Sequence, residues 1–483
     1  ASSFSTPGVG DFAFSICNSG DFSFSSESKG DVCFTIADGN DLSFSDSGVC
    51  DLCFSSVGDI GDFDFSASGT RDSSFSCPGE SDFCFSTSFT GDSSFSSSRV
   101  GDFDFSFSAP GDTSFFASGE GDFAFSVTGV ADFSFSSAGE RDLDFSVSRT
   151  GDSLLFRSGE SDFCFSTSFS GDSSFSTLRV GDFCFSSFGA GDTSFFASGE
   201  ADISFSVSTG GDSFVSISGV DDFALSVSIG GDFSFSISGV GDLAFSVSIG
   251  GAFSFSIFGV GNFCSFISGV GDFSFSNSDV GDFAFSISGD TDFSFTASAR
   301  DNFCFSSSED GDFISCSSSV CNFSLSTSGV GDFALFVSSE DVFSLSVSTD
   351  GDFSSFSASG ESDFRFVASR ESDSRRSSIS SIEGDSTFLS VSGVDSFGSL
   401  SDSGECKICL SVSGDTDFCN LSNSGEDVLS FPTVTEDPVF KSLSATGGGD
   451  FSLATSGEDD FCFSVSERGD FGSSDSVKED CSL

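Results

Sequence analysis

The sequence predicts an all-β fold: a decapeptide-repeat β-solenoid in which two units, roughly 20 residues, make one coil. Three observations predict it. A motif recurs every ten residues, large apolar residues alternate strictly with Ser inside each motif, and Gly-Asp turn chemistry separates one motif from the next. An antiparallel β-meander of the same strands and a largely disordered chain are the competing expectations at this level.

The unit is clearest at residues 231–240, GDFSFSISGV. Asp recurs in register from Asp62 to Asp352, replaced by Ala252, Asn262, Asn302, Asn322 and Val342. Single-residue insertions near 51–62 and 352–363 shift the frame. A longer period overlies the short one: GESDFCFSTSF at 79–89 returns at 159–169, and GDTSFFASGE at 111–120 returns at 191–200, both offset by 80 residues. Block duplication therefore built the array. Three regions follow from this reading: a regular array over 1–370, a degenerate segment expected to be irregular over 371–449, and residual repeats with a C-terminal tail over 450–483. The middle region holds Pro432, Pro438 and three glycines at 447–449.

Within a unit, Phe233, Phe235 and Ile237 alternate with Ser234, Ser236 and Ser238. Side chains on an extended strand point to opposite faces in turn, so this pattern puts every large apolar group on one face. Gly239, Gly241 and Asp242 then supply turn chemistry, because Gly accepts positive φ and Asp bonds to nearby backbone. Each unit thus reads as about six strand residues and four turn residues. Low-charge windows such as FSFSISGV, rich in β-formers and free of Pro, also predict self-association. The regular Asp is their gatekeeper.

Composition excludes several function classes. Lys+Arg 16 against Asp+Glu 75 leaves a net charge of −59, which repels nucleic-acid phosphates and anionic lipid surfaces. No run of 18 apolar residues is present to span a bilayer. With no His, neither a Ser-His-Asp nor a Cys-His arrangement can be assembled, so an enzyme is not expected. The chain opens at Ala1 without Met or a basic, apolar leader, as expected of a fragment, a processed product or an incomplete frame. The compartment is therefore not readable from it.

Candidate sites are sparse. Cys84, Cys164, Cys184, Cys264, Cys304 and Cys462 occupy the fourth slot of the unit, where Ser is usual and the side chain faces away from Phe. Codon drift from Ser explains them, and a ladder of paired or metal-bound thiolates is the alternative. The C-x-x-C pairs Cys50/Cys53 and Cys406/Cys409 lack His partners; Cys419 is the nearest third ligand to the second pair, where structural zinc needs four. The Asp column would chelate calcium if successive coils brought carboxylates together, and turn formation is its plainer role. Asn322-Phe323-Ser324 and Asn420-Leu421-Ser422 fit the N-glycosylation pattern. Many Ser residues precede acids by two or three positions, a pattern this composition makes inevitable. No catalytic, cofactor-binding or metal-ligating residue is assigned.

The turn Ser238-Gly239-Val240-Gly241-Asp242-Leu243 loosely resembles the repeats-in-toxin family of calcium β-rolls, with its Gly-x-Gly-Asp and following apolar residue. That resemblance implies calcium-dependent folding and an extracellular setting. The period here is ten where that family has nine, and the Gly-to-Asp spacing is shorter. Residues 231–235, GDFSF, similarly resemble one unit of the pentapeptide-repeat proteins, although Ser238 stands where the next apolar centre would fall. Phe188-Gly189, Phe258-Gly259, Phe397-Gly398 and Phe471-Gly472 resemble the Phe-Gly dipeptides of nuclear pore proteins, from whose low charge the regular Asp departs.

Absent residue types point in another direction. Tyr, His and Gln are missing, as are Met and Trp. Tyr, His and Gln are the sense codons beginning TA or CA. On the opposite strand, in the frame beginning at the complement of each second base, they become TA and TG codons, which include the stops. In that frame Phe becomes Lys or Asn and Ser becomes Glu or Asp, so that GDFSFSISGV with suitable third bases reads TPEIEKEKSP, a charged and Pro-containing composition typical of soluble disorder. A spurious, opposite-strand translation is thus one expectation for this chain, although the loss of Met and Trp does not follow from the mapping. For a translated chain no biochemical function is assignable. A non-catalytic structural or fibre-forming β-repeat protein is the leading expectation. The alternatives are a disordered, self-associating Phe/Ser-rich interaction segment and a calcium-dependent extracellular β-roll.

Overall fold

The computed structural model describes residues 2–370, apart from gaps of one to three residues at many turns, and from 371 onward chiefly strand backbone. The chain forms two compact units, residues 1–240 and 241–483. Among the described residues each consists of β-strands without a helix.

In the first unit a strand pairs with the next strand but one. Phe103–Ala109 lies parallel to Phe123–Gly129, with Phe103 opposite Phe123 and Phe105 opposite Phe125. The intervening strand Thr113–Ser118 belongs to a second sheet, between Ser93–Ser97 and Phe133–Ala138. Consecutive strands thus alternate between two parallel sheets, and one coil takes 20 residues. The same rule holds in the second unit, where Leu243–Ile249 pairs with Phe263–Val270 and Phe253–Gly259 with Phe273–Asp279. A meander would pair consecutive strands antiparallel, so the parallel ladder with its 20-residue register decides for the solenoid.

Both insertions are absorbed by a local shift of register; a slip carried through a whole strand would turn its Phe outward. In the first unit Leu42 faces Phe63 and Leu52 faces Ser73, so the extra residue falls between Val57 and Phe63. In the second unit Phe333 faces Phe353 but Ala334 faces Ser355, a β-bulge that restores Leu335 opposite Phe356. Beyond 370 parallel pairing continues with a different spacing: Phe364 faces Thr387, and Thr387 faces Ile408.

The alternation read from sequence is the burial pattern. Leu143, Phe145 and Val147 are buried, and Asp144, Ser146 and Ser148 are exposed. Along one sheet the phenyl rings stack at coil spacing, as Phe105 does on Phe125 with centroids 4.9 Å apart and planes within 2°. Across the core they meet edge to face: Phe105 and Phe115 are 5.3 Å apart at 78°. Both geometries place the positive ring edge over a negative face. The two strands of a coil are not equivalent. Phe83, Phe103 and Phe123 open the strands of one sheet, whereas buried Ser93, Thr113, Phe133 and Ser153 open those of the other, most of them small.

Close stacking also explains a turn glycine. Gly139 has φ +137°, and a Cβ there would fall onto the backbone carbonyl of Gly119 in the preceding coil.

Candidate functional site

The most regular chemistry lies at the turns. The N–H of Asp152 donates to Oδ1 of Asp132 at 3.0 Å, and Oδ1 of Asp152 accepts the N–H of Asp172 at 2.9 Å. Its backbone carbonyl accepts the N–H of Phe133 at 2.8 Å. Each such Asp therefore joins one coil to the next through both side chain and backbone. Asp92, Asp112 and Asp132 form part of this ladder, while Asp82, Asp102 and Asp122 form a second one beside the other sheet. In the second unit Asn continues the arrangement: Asn302 Nδ2 donates to Asp282 Oδ1 at 3.0 Å, and Asn322 Nδ2 to Asn302 Oδ1 at 2.9 Å. Asn322 of the glycosylation pattern is thus engaged in a side-chain stack. Asn420 lies on the strand Asp417–Asn423, whose side chains are outside the described residues.

An open groove of about 680 Å³ follows the turn edge from Asp62 to Asp162 in the first unit. Outward-facing Asp64, Asp104 and Asp144 line it beside the turn carboxylates. The arrangement concentrates negative charge and attracts cations generally. Among the described residues no three acidic or thiol groups converge on a point that could hold a metal ion.

The fourth-slot cysteines Cys84, Cys164, Cys184, Cys264 and Cys304 are exposed and free, and Cys462 lies outside the described residues. Cys164 faces Cys184 in register, and Cys33 faces Cys53. Burial, then the neighbouring Cys184 and Asp144, raise the Cys164 thiol; burial and Cys33 do the same for Cys53. The thiolate is disfavoured at both. Cys77 is the exception in position: it points into the core, where burial pushes its pKa up to about 12 against a weaker opposing influence of the neighbouring Ser56. Of the C-x-x-C pairs, Cys50 and Cys406 lie outside the described residues.

Three buried charged groups escaped the sequence reading. Arg149 is 3% exposed, donates through Nη2 to the carbonyl of Gly111 at 2.9 Å, and lies over the Phe133 ring at 5.7 Å. Burial lowers its pKa, while Asp112 and Asp132 act in the opposite sense. Arg157 lies buried over Phe163, and Asp46 is also buried. Each stands in an inward slot of the ten-residue frame, so tracking slot parity would have found them.

No protein-family model, no curated protein and no solved structure matches this chain. Among the described residues no helix is long and apolar enough to cross a membrane.

Proposed function

We propose that this chain is a non-catalytic structural element, a β-solenoid whose repeated coils provide a stiff, fibre-forming body. The observation that carries the reading is the repetition of one joint: in-register strands, stacked Phe and the Asp clamp recur along the array, each coil depending on its neighbours. Such an array supplies length and surface, and its side-chain chemistry is spent on holding coils together. The alternative calcium β-roll asks the turn carboxylates to face a metal, whereas here one oxygen of Asp152 already accepts a backbone N–H.

The test has two stages. Mass spectrometry of the native source is expected to recover tryptic peptides of this frame such as 158–179, which follows Arg157 and ends at Arg179. Purified chain is then expected to give a cooperative β-type circular dichroism signal and elongated particles by electron microscopy. Peptides of the opposite strand alone, or a non-cooperative coil spectrum, would overturn the proposal.

A further inference from the structure

One outer face of the first unit is built differently from the other. In the strands from Ser93–Ser97 to Phe233–Gly239 of the sheet that contains Thr113–Ser118, the outward positions among the described residues carry Ser, Ala, Leu and Phe. Charge is confined to the rim: Glu160 and Glu200 at strand ends, and the turn ladder from Asp92 to Asp232 that precedes the strands. The opposite sheet presents Asp64, Asp104 and Asp144. In a chain of net charge −59, the face whose strands carry charge only at the rim is where two copies can approach.

Its large residues follow a two-coil rhythm. Phe116, Phe156 and Phe196 are 53%, 48% and 45% exposed, and Ser136 and Ser176 stand between them in the same column. Leu154, Leu178 and Phe214 are exposed in the flanking columns, with the Phe214 ring 5.4 Å from that of Phe196.

We infer that this face binds a second copy of the same chain about a twofold axis that runs parallel to the strands and passes midway between Phe156 and Ser176. The inference rests on the structural reading above. Such an axis keeps each column opposite itself and reverses the order of coils. Phe156 then meets the partner copy's serine at position 176, Phe116 the one at 216, and Phe196 the one at 136. In the flanking columns Leu154 meets position 174, Phe214 position 114 and Leu178 position 158, all Ser. Each of these six large apolar residues thus faces a serine, the knob-and-gap fit of a dry zipper between sheets about 10 Å apart. Eight strands at about 4.8 Å, each about 20 Å wide, bury on the order of 1,500 Å² over both copies, which is the size of a stable interface. Self-complementarity of one patch is what a twofold dimer requires.

Sedimentation velocity on the full chain tests this. Wild type is expected to sediment as a dimer. The triple variant Phe116→Ser, Phe156→Ser, Phe196→Ser restores the residue already standing at Ser136 and Ser176 and is expected to be monomeric with an unchanged β spectrum. Ser176→Phe, which sets ring against ring across the axis, is expected to break the dimer as well, while Phe258→Ser in the second unit leaves it intact. A triple variant as dimeric as wild type, or a monomeric wild type with a cooperative β spectrum, overturns this interface and leaves the structural reading standing. Loss of the β spectrum in wild type overturns that reading itself.

Discussion

Asp172 donates its backbone N–H to Oδ1 of Asp152 across 2.9 Å, one full coil away along the same turn edge. The residue that sequence marks as a turn former is also the clamp between coils. Asp152→Asn keeps the acceptor and removes a charge, so its melting temperature is expected to equal or exceed that of wild type. Asp152→Ala removes the acceptor and is expected to cost on the order of 1 kcal/mol. Equal melting of all three chains would show that the clamp contributes nothing.

Phe145 is fully buried and stacks on Phe125 with centroids 4.6 Å apart. Phe145→Ala removes a ring from both the stack and the cross-core contact with Phe135, and is expected to destabilise by about 3–5 kcal/mol. Because coils couple chiefly to their neighbours, loss of hydrogen-exchange protection should be greatest in the adjoining strands and fade along the array. Phe188→Ser, at a position 67% exposed, should change neither stability nor exchange.

Much of this was legible in the sequence. Ten-residue spacing and Phe/Ser alternation located the strands, their inward faces and both insertions, because parity and period are local properties. Pairing is not local. Hairpins and coils satisfy the same alternation, and what separates them is the parallel register that sets Phe103 opposite Phe123. The partner of Asp152 lies a whole coil away, so its role as an acceptor could not be read from neighbouring residues. Arg149 was legible only through slot parity, since an inward Arg needs the carbonyl of Gly111, 38 residues earlier, to satisfy it.

The small residues of the core carry a separate expectation. The hydroxyl of Ser153 is buried without a hydrogen-bond partner. A buried polar group left unpaired costs about 1–3 kcal/mol. Ser153→Ala keeps the small volume and removes the hydroxyl, so urea denaturation should show a gain of about 1 kcal/mol. A loss would mean that the hydroxyl is satisfied in solution.

Cys77 predicts an alkaline dependence. Its folded pKa, about 12, lies above the ordinary thiol value of 9.0. The folded state therefore holds its proton while the unfolded state releases it, and stability falls as pH rises from about 9 toward about 12. Below that window both states are protonated and the group has no effect. Cys77→Ala should flatten this part of the profile relative to wild type. At pH 8 a thiol reagent should label exposed Cys84 well before Cys77, and equal labelling rates would contradict the burial of Cys77.

Stacked carboxylates make the folded state sensitive to cations. Asp132, Asp152 and Asp172 follow one another at coil spacing, about 4.8 Å. Like charges about 4 Å apart repel by roughly 1 kcal/mol even at the dielectric of water, and salt screens that repulsion over a Debye length of about 10 Å at 0.1 M. The melting temperature is therefore expected to rise with sodium chloride. Calcium and magnesium should raise it further through their valence, and by similar amounts at equal ionic strength, since no three ligand groups converge among the described residues. The contrast with magnesium is the informative one: a calcium effect far above it would require a directional oxygen cage, which the clamp geometry of Asp152 does not provide, and would favour the calcium β-roll reading over a purely structural ladder.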